Sequence, residues 1–161
     1  MKELKTNVMR LLEQKKIPYM AHEYPHPDGP VDGETVARMT GRDPATVFKT
    51  LVTVGASRTN YVFVIPVAEE LDLKKAAKAV REKSIAMIHV NELTPLTGYV
   101  RGGCSPIGMK KQLKTVFDAT AEAQTTMLVS GGKIGTQIEI APADLIAFVR
   151  GTTADLTVSE V

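Results

Sequence analysis

FKTLVTVGASRTNYVFVIP, residues 48–66, contains two β-rich runs, Phe48 to Val54 and Tyr61 to Pro66, around the segment Gly55-Ala56-Ser57-Arg58-Thr59-Asn60. Valine, isoleucine, threonine and aromatic residues suit a pleated surface, and a Gly-containing connector of this length predicts a hairpin with a longer loop. Upstream, Pro44 opens a turn of helix leading into Lys49. Glu34 to Met39 is predicted as a short helix closed by Gly41. Pro25-His26-Pro27-Asp28-Gly29-Pro30 is a loop, because three prolines remove donors and glycine permits a turn. Tyr19 to Tyr24 is predicted as a strand. The first helix starts at Thr6 or Asn7, lines one face with Val8, Leu11 and Leu12, and ends before Pro18.

Downstream, Asp72 caps a helix whose apolar stripe is Leu73, Ala76, Ala77 and Val80. Ser84 to Ile88, Thr115 to Phe117, Thr126 to Val129 and Gln137 to Ala141 are predicted as short strands. Pro142 and Asp144 start a last helix through Leu145, Ile146 and Val149, stopped by Gly151. Strands separated by irregular helices predict an α+β fold with a mixed, mostly antiparallel sheet. There is no internal repeat, low-complexity stretch or long linker, so residues 1–161 are expected to form a single domain.

The chain has 161 residues, 43% of them apolar, which suffices for a core. A net charge of +2 gives no field for indiscriminate nucleic-acid binding, so any RNA contact must come from local clusters. Lys110, Lys111 and Lys114 form one such cluster; Lys74, Lys75, Lys78, Arg81 and Lys83 form another. A solvated helix face is the competing explanation of each. One cysteine excludes an internal disulfide, and Met1-Lys2-Glu3-Leu4-Lys5 lacks the apolar core of a signal peptide. No apolar run approaches the ~20 residues of a membrane helix. These features predict a cytoplasmic protein.

Two glycine pairs carry hydroxyl-bearing neighbours: Gly102-Gly103-Cys104-Ser105-Pro106 and Ser130-Gly131-Gly132-Lys133. Such pairs mark backbone that takes unusual dihedrals or approaches a ligand closely. With Lys49 projecting from an apolar run as a point charge, they outline a pocket for an anionic or carbonyl substrate. Two plain turns and a snorkelling lysine are the alternative. Cys104 as a nucleophile would need a histidine, cation or helix start to lower its pKa, and none of His22, His26 and His89 is placed by a motif. His22 and His26 are four apart, but Pro25 and Pro27 forbid the helix that would align them on a metal, so neither a metal nor a cofactor is expected. Ser130-Gly131-Gly132-Lys133-Ile134-Gly135 lacks the spacing of a nucleotide-binding loop. A site without a protein nucleophile remains: amides around Gly103 for an oxyanion, Lys49 for phosphate or ribose contacts, and Ser130 for orientation.

Phe48-Lys49-Thr50-Leu51, Leu73-Lys74-Lys75-Ala76-Ala77, Thr97-Gly98-Tyr99, Gly102-Gly103 before Ser105-Pro106, and Val129-Ser130-Gly131-Gly132-Lys133 resemble, in order and spacing, the YbaK/EbsC proteins. These are free-standing relatives of the editing domain inserted in bacterial prolyl-tRNA synthetases. The resemblance runs from about Leu11 to about Leu145. It implies a curled, barrel-like sheet flanked by helices and an aminoacyl-tRNA deacylase of the cytoplasm. The substrate implied is mischarged Cys-tRNA(Pro), whose own thiol attacks its carbonyl to leave a cyclic thiolactone, an alignment that needs no enzyme nucleophile. Prolyl-tRNA synthetase is the implied partner. By matched motif, catalytic roles fall on Lys49, Gly103 and Ser130 and a pocket role on Tyr24. Gly102, Cys104 and Gly131 lie beside them, and Lys110, Lys111 and Lys114 are the expected tRNA contacts. Three positions depart from the family pattern: Cys104 replaces an aliphatic residue and is expected to be a pocket-wall hydrophobe, Asp32 stands where an aromatic is usual, and Gln137 where a small or acidic residue is usual. Two alternatives stay open: an Ala-tRNA(Pro) deacylase using water, and a non-catalytic RNA-binding module.

Overall fold

A computed structural model describes residues 5–159; the chain start Met1-Lys2-Glu3-Leu4 lies outside them. Its centre is the hairpin of β2 (Phe48–Gly55) and β3 (Asn60–Pro66), paired from Phe48↔Pro66 to Val54↔Asn60. Side chains alternate across β3: Val62 and Val64 enter one core cluster, and Tyr61, Phe63 and Ile65 enter another. That two-sided burial is why the run is apolar without alternation. The second cluster is covered by α3 (Leu73–Val80), capped by Asp72, whose Oδ1 accepts from the Lys74 and Lys75 amides. The first is covered by α1 (Asn7–Gln14), capped by Thr6, and by a smaller sheet.

The larger sheet runs β4-β2-β3-β5-β8, with β4 (Ile85–Met87), β5 (Lys114–Asp118) and β8 (Thr152–Ala154). The smaller runs β1-β7-β6, with β1 (Met20–Glu23), β6 (Met127–Ser130) and β7 (Thr136–Ile140). The pairings β3–β5 and β5–β8 are parallel and the rest antiparallel, in keeping with the α+β class and the mixed, mostly antiparallel arrangement. The expected barrel-like sheet, however, is divided in two and not closed. A 3-10 turn at Pro44–Thr46 redirects the chain just before β2, so the sheets meet there through one bridge, Val47↔Leu128.

The helix α2 (Gly33–Met39) follows the proline-rich loop, and α5 (Pro142–Phe148) follows β7. Three elements escaped the sequence reading, among them the 3-10 turn Ala119–Ala123. Helix α4 (Val90–Thr97) contains Pro95, a residue that reads as a breaker, and ends on Gly98 at φ +84°. Strand β8 has only three residues and is held by parallel pairing with β5. No helix among the described residues is long and apolar enough to cross a membrane.

Candidate active site

At the seam of the two sheets lies a cavity of about 140 Å³. The start of β2 supplies Phe48, Lys49 and Thr50, and the residue after β1 supplies Tyr24. The α2 segment supplies Val31, Gly33 and Val36; the two glycine loops and β7 supply Gly102, Cys104, Ser130 and Gln137. Of the residues expected to form a site, Tyr24, Lys49, Gly102, Cys104, Ser130 and Gln137 are therefore brought together.

Lys49 is half-buried, and its ammonium makes no hydrogen bond or ion pair among the described residues. Burial lowers its pKa from the ordinary lysine value, opposed by the charges of Glu34, Glu70 and Glu69. Two further atoms are unsatisfied: Thr50 Oγ1 and Gln137 Oε1 are buried without a hydrogen-bond partner, and both residues line this cavity. A buried polar atom left unpaired costs about 1–3 kcal/mol, so two acceptors on one small cavity are a recurrent mark of a ligand site. Thr50 lies inside the Phe48-Lys49-Thr50-Leu51 motif, and both it and Lys49 line the cavity.

Cys104 is a wall residue. Burial pushes its thiol up to about 12, with no cation or histidine drawing it back, so it stays neutral. The nucleophile reading therefore has no electrostatic support. Ser130 Oγ accepts from the Gly132 amide at 3.1 Å, which shapes the second loop while its hydroxyl hydrogen stays free to donate.

Three expected site residues are placed differently. Gly103 does not line the cavity: its amide donates to the Val100 carbonyl at 3.0 Å, and a Cβ on it would come within 3.1 Å of the Ile134 nitrogen. It is the contact between the two glycine loops. Beside the cavity, the amides of Gly102 and Cys104, like those of Val31 and Gly33, have no internal acceptor among the described residues. Gly131 packs on Thr136, whose Oγ1 a Cβ would meet at 2.8 Å. Asp32 caps α2, its Oδ2 accepting from the Thr35 amide at 3.4 Å, and it faces a neighbouring cleft. Its local role as an N-cap was legible in the sequence and competes with any pocket role.

Tyr99 ties this arrangement together. Its hydroxyl donates to the Ile107 carbonyl at 2.5 Å, and its ring lies 3.5 Å from the Cβ position of Gly132, so it joins the first glycine loop to the second. Lys110, Lys111 and Lys114 are exposed and do not line the cavity. Lys114 pairs with Tyr61 and Lys49 with Ile65, four residues and so about 13 Å apart along β3. His22 does not reach the cavity either; its Nε2 lies 2.8 Å from Glu139, which Arg42 also approaches at 3.4 Å. His26 stacks edge-on to Tyr24, ring centres 6.5 Å apart.

Residues 31–148 match the model of the aminoacyl-tRNA editing domain. The chain belongs to that family. It is also 46% identical, over 97% of its length and 95% of the relative's, to EbsC of Enterococcus faecalis, described as a candidate Cys-tRNA(Pro)/Cys-tRNA(Cys) deacylase. The fold superposes on a solved structure titled as a candidate trans-editing enzyme for prolyl-tRNA synthetase, with TM-score 0.81, 24% identity and coverage of 98% of this chain and 100% of that one. It superposes equally on the hypothetical protein APE2540, with TM-score 0.84, 20% identity and coverage of 94% and 99%. Residues 31–148 include both glycine loops, β2 and β7, so every residue lining the cavity except Tyr24 lies within the matched domain.

Proposed function

We propose that this protein is a trans-acting deacylase that clears cysteine from mischarged tRNA(Pro). The observation that carries the reading is the small cavity itself, with an unpaired ammonium, two buried unpaired acceptors and no activated protein nucleophile. A cavity near 150 Å³ holds about one benzene-sized molecule, so this one suits a small amino acid and no more. The Thr50 and Gln137 oxygens take hydrogen bonds from the substrate's α-ammonium. Ser130 and Lys49 hold the ester end, and the Gly102 and Cys104 amides meet the carbonyl oxygen as it gains charge. The substrate thiol attacks its own carbonyl carbon, the carbon–oxygen ester bond breaks, and the ribose oxygen leaves with a proton. Cysteine thiolactone and free tRNA are the products. Catalysis is then alignment of groups already tethered together. Such a substrate places the work in the cytoplasm, where prolyl-tRNA synthetase, the source of the mischarged species, is the implied partner.

Single-turnover deacylation of Cys-tRNA(Pro), Ser-tRNA(Pro) and Ala-tRNA(Pro), with trapping of thiolactone, tests this. Cysteine is expected to react much faster than serine, which keeps the size but loses the thiol, and to yield the cyclic product. Equal rates for cysteine and serine without thiolactone would establish attack by water, for which Gln137 Oε1 is the placed acceptor. RNA binding without cleavage of any ester would leave a non-catalytic module.

A further inference from the structure

Beside the cavity lies a second, wider cleft of about 510 Å³, formed by Pro30, Val31, Asp32 and Gly33 of the loop into α2 and by Arg101 and Gly102 of the first glycine loop. Val31, Gly33 and Gly102 line both spaces, so the cleft begins where the cavity ends. Its walls are set by a close contact. Gly102 has φ +86°, and a Cβ there would stand 2.8 Å from the Pro30 Cβ, so only glycine lets the two loops meet.

The cavity has room for an aminoacyl group alone. The nucleoside and 5′-phosphate of an aminoacyl ester must lie outside it, and the adjoining cleft is where a group leaving past Gly102 arrives. Two charged side chains line that cleft. Asp32 is held to the Thr35 amide by its cap and repels an anion. Arg101 is exposed and makes no hydrogen bond or ion pair among the described residues. A guanidinium matches two phosphate oxygens at once, and a flat apolar surface such as Pro30 and Val31 suits a nucleoside. Lys49, half-buried inside the cavity, is left for the ester end.

We propose that this cleft is the subsite for the terminal ribonucleotide of the substrate, with the Arg101 guanidinium on its 5′-phosphodiester and Pro30 and Val31 against the nucleoside. The assignment rests on the deacylase reading above and adds the residue that recognises the nucleic-acid part next to the ester.

The test is a cycle between Arg101 and the phosphate. Two non-hydrolysable amide analogues of cysteinyl-adenosine, one with a free 5′-hydroxyl and one with a 5′-methyl phosphate, are titrated calorimetrically into the wild-type protein and Arg101→Ala, with melting curves to verify folding. The wild type is expected to prefer the phosphorylated analogue about tenfold. Its log affinity should fall with log salt more steeply than that of the uncharged analogue, by a slope of about 0.7 for one phosphate. In Arg101→Ala the preference should drop to about one and the extra slope vanish. Binding of both analogues with no phosphate preference in the wild type, or with the same preference in Arg101→Ala, overturns the cleft assignment alone. Failure of the wild type to bind either analogue, together with failure to cleave any aminoacyl-tRNA, overturns the deacylase reading and the cleft with it.

Discussion

Thr50→Val should make the protein more stable and less active. Thr50 and Thr53 lie three residues apart on β2, and only one hydroxyl is satisfied. Thr53 Oγ1 donates to the Tyr61 carbonyl at 2.9 Å, whereas Thr50 Oγ1 is buried with no partner. Valine keeps the branched shape, favours a strand and removes the stranded oxygen. Because the oxygen borders a cavity that water can visit, the low end of the unsatisfied-group penalty applies, a gain of about 1 kcal/mol. For a chain of this length that is a rise in Tm of about 2–4 °C. The same change would remove the hydrogen bond proposed to the substrate's ammonium, which at about 1.5–3 kcal/mol should lower kcat/KM by roughly 10- to 150-fold. Thr53→Val should have the opposite sign on stability, losing about 1 kcal/mol, because its hydroxyl is engaged. Thermal melts followed by circular dichroism, with single-turnover deacylation of Cys-tRNA(Pro), read both quantities. A Thr50→Val protein that melts lower than wild type, or that reacts at the wild-type rate, would refute the assignment of Thr50 Oγ1 to the ligand.

Lys49→Ala should fold and lose about 10²- to 10³-fold in kcat/KM, as removal of one preorganised charge does elsewhere; a folded variant of unchanged rate removes Lys49 from the mechanism. Because burial holds the Lys49 pKa below the ordinary 10.5, the enzyme-dependent rate should fall as pH rises through that lowered value. After subtraction of spontaneous hydrolysis, a profile with no falling limb below pH 10.5 would contradict the need for the ammonium. Cys104→Ala should keep most activity and cost about 1 kcal/mol of stability, and the native thiol, held near 12, should resist iodoacetamide at neutral pH; rapid labelling, or a loss of many orders of magnitude in rate, would revive a protein nucleophile. Gly102→Ala should be worse than Gly103→Ala in both Tm and kcat/KM. The first forces a side chain onto φ +86° against Pro30, for about 1–2 kcal/mol, whereas the second asks the Lys133–Ile134 backbone to give by a few tenths of an ångström. The reverse ranking would restore Gly103 to the reacting carbonyl.

What could be read without the structure was whatever repeats or signals locally. The β2–β3 hairpin, the Asp72 cap, the start of α1 at Thr6 or Asn7, the proline-rich loop and the strands around the second glycine pair each announce themselves over a few residues, and each stands where expected. The motif order likewise pointed to Lys49, Ser130, Tyr24 and Gln137, which do converge on one cavity. Tertiary structure alone determined the parallel pairing of β5 with β3 and β8 and the split of the sheet at Val47↔Leu128. It also turned Gly103 toward Ile134, engaged its amide with Val100, committed Asp32 to the α2 cap, and left Thr50 and Arg101 facing the two adjoining spaces. The physical reason is the same in each case. Periodicity and capping are set by neighbours along the chain, whereas a hydrogen-bond donor's acceptor, or its lack of one, is set by segments tens of residues away whose approach leaves no period in the sequence.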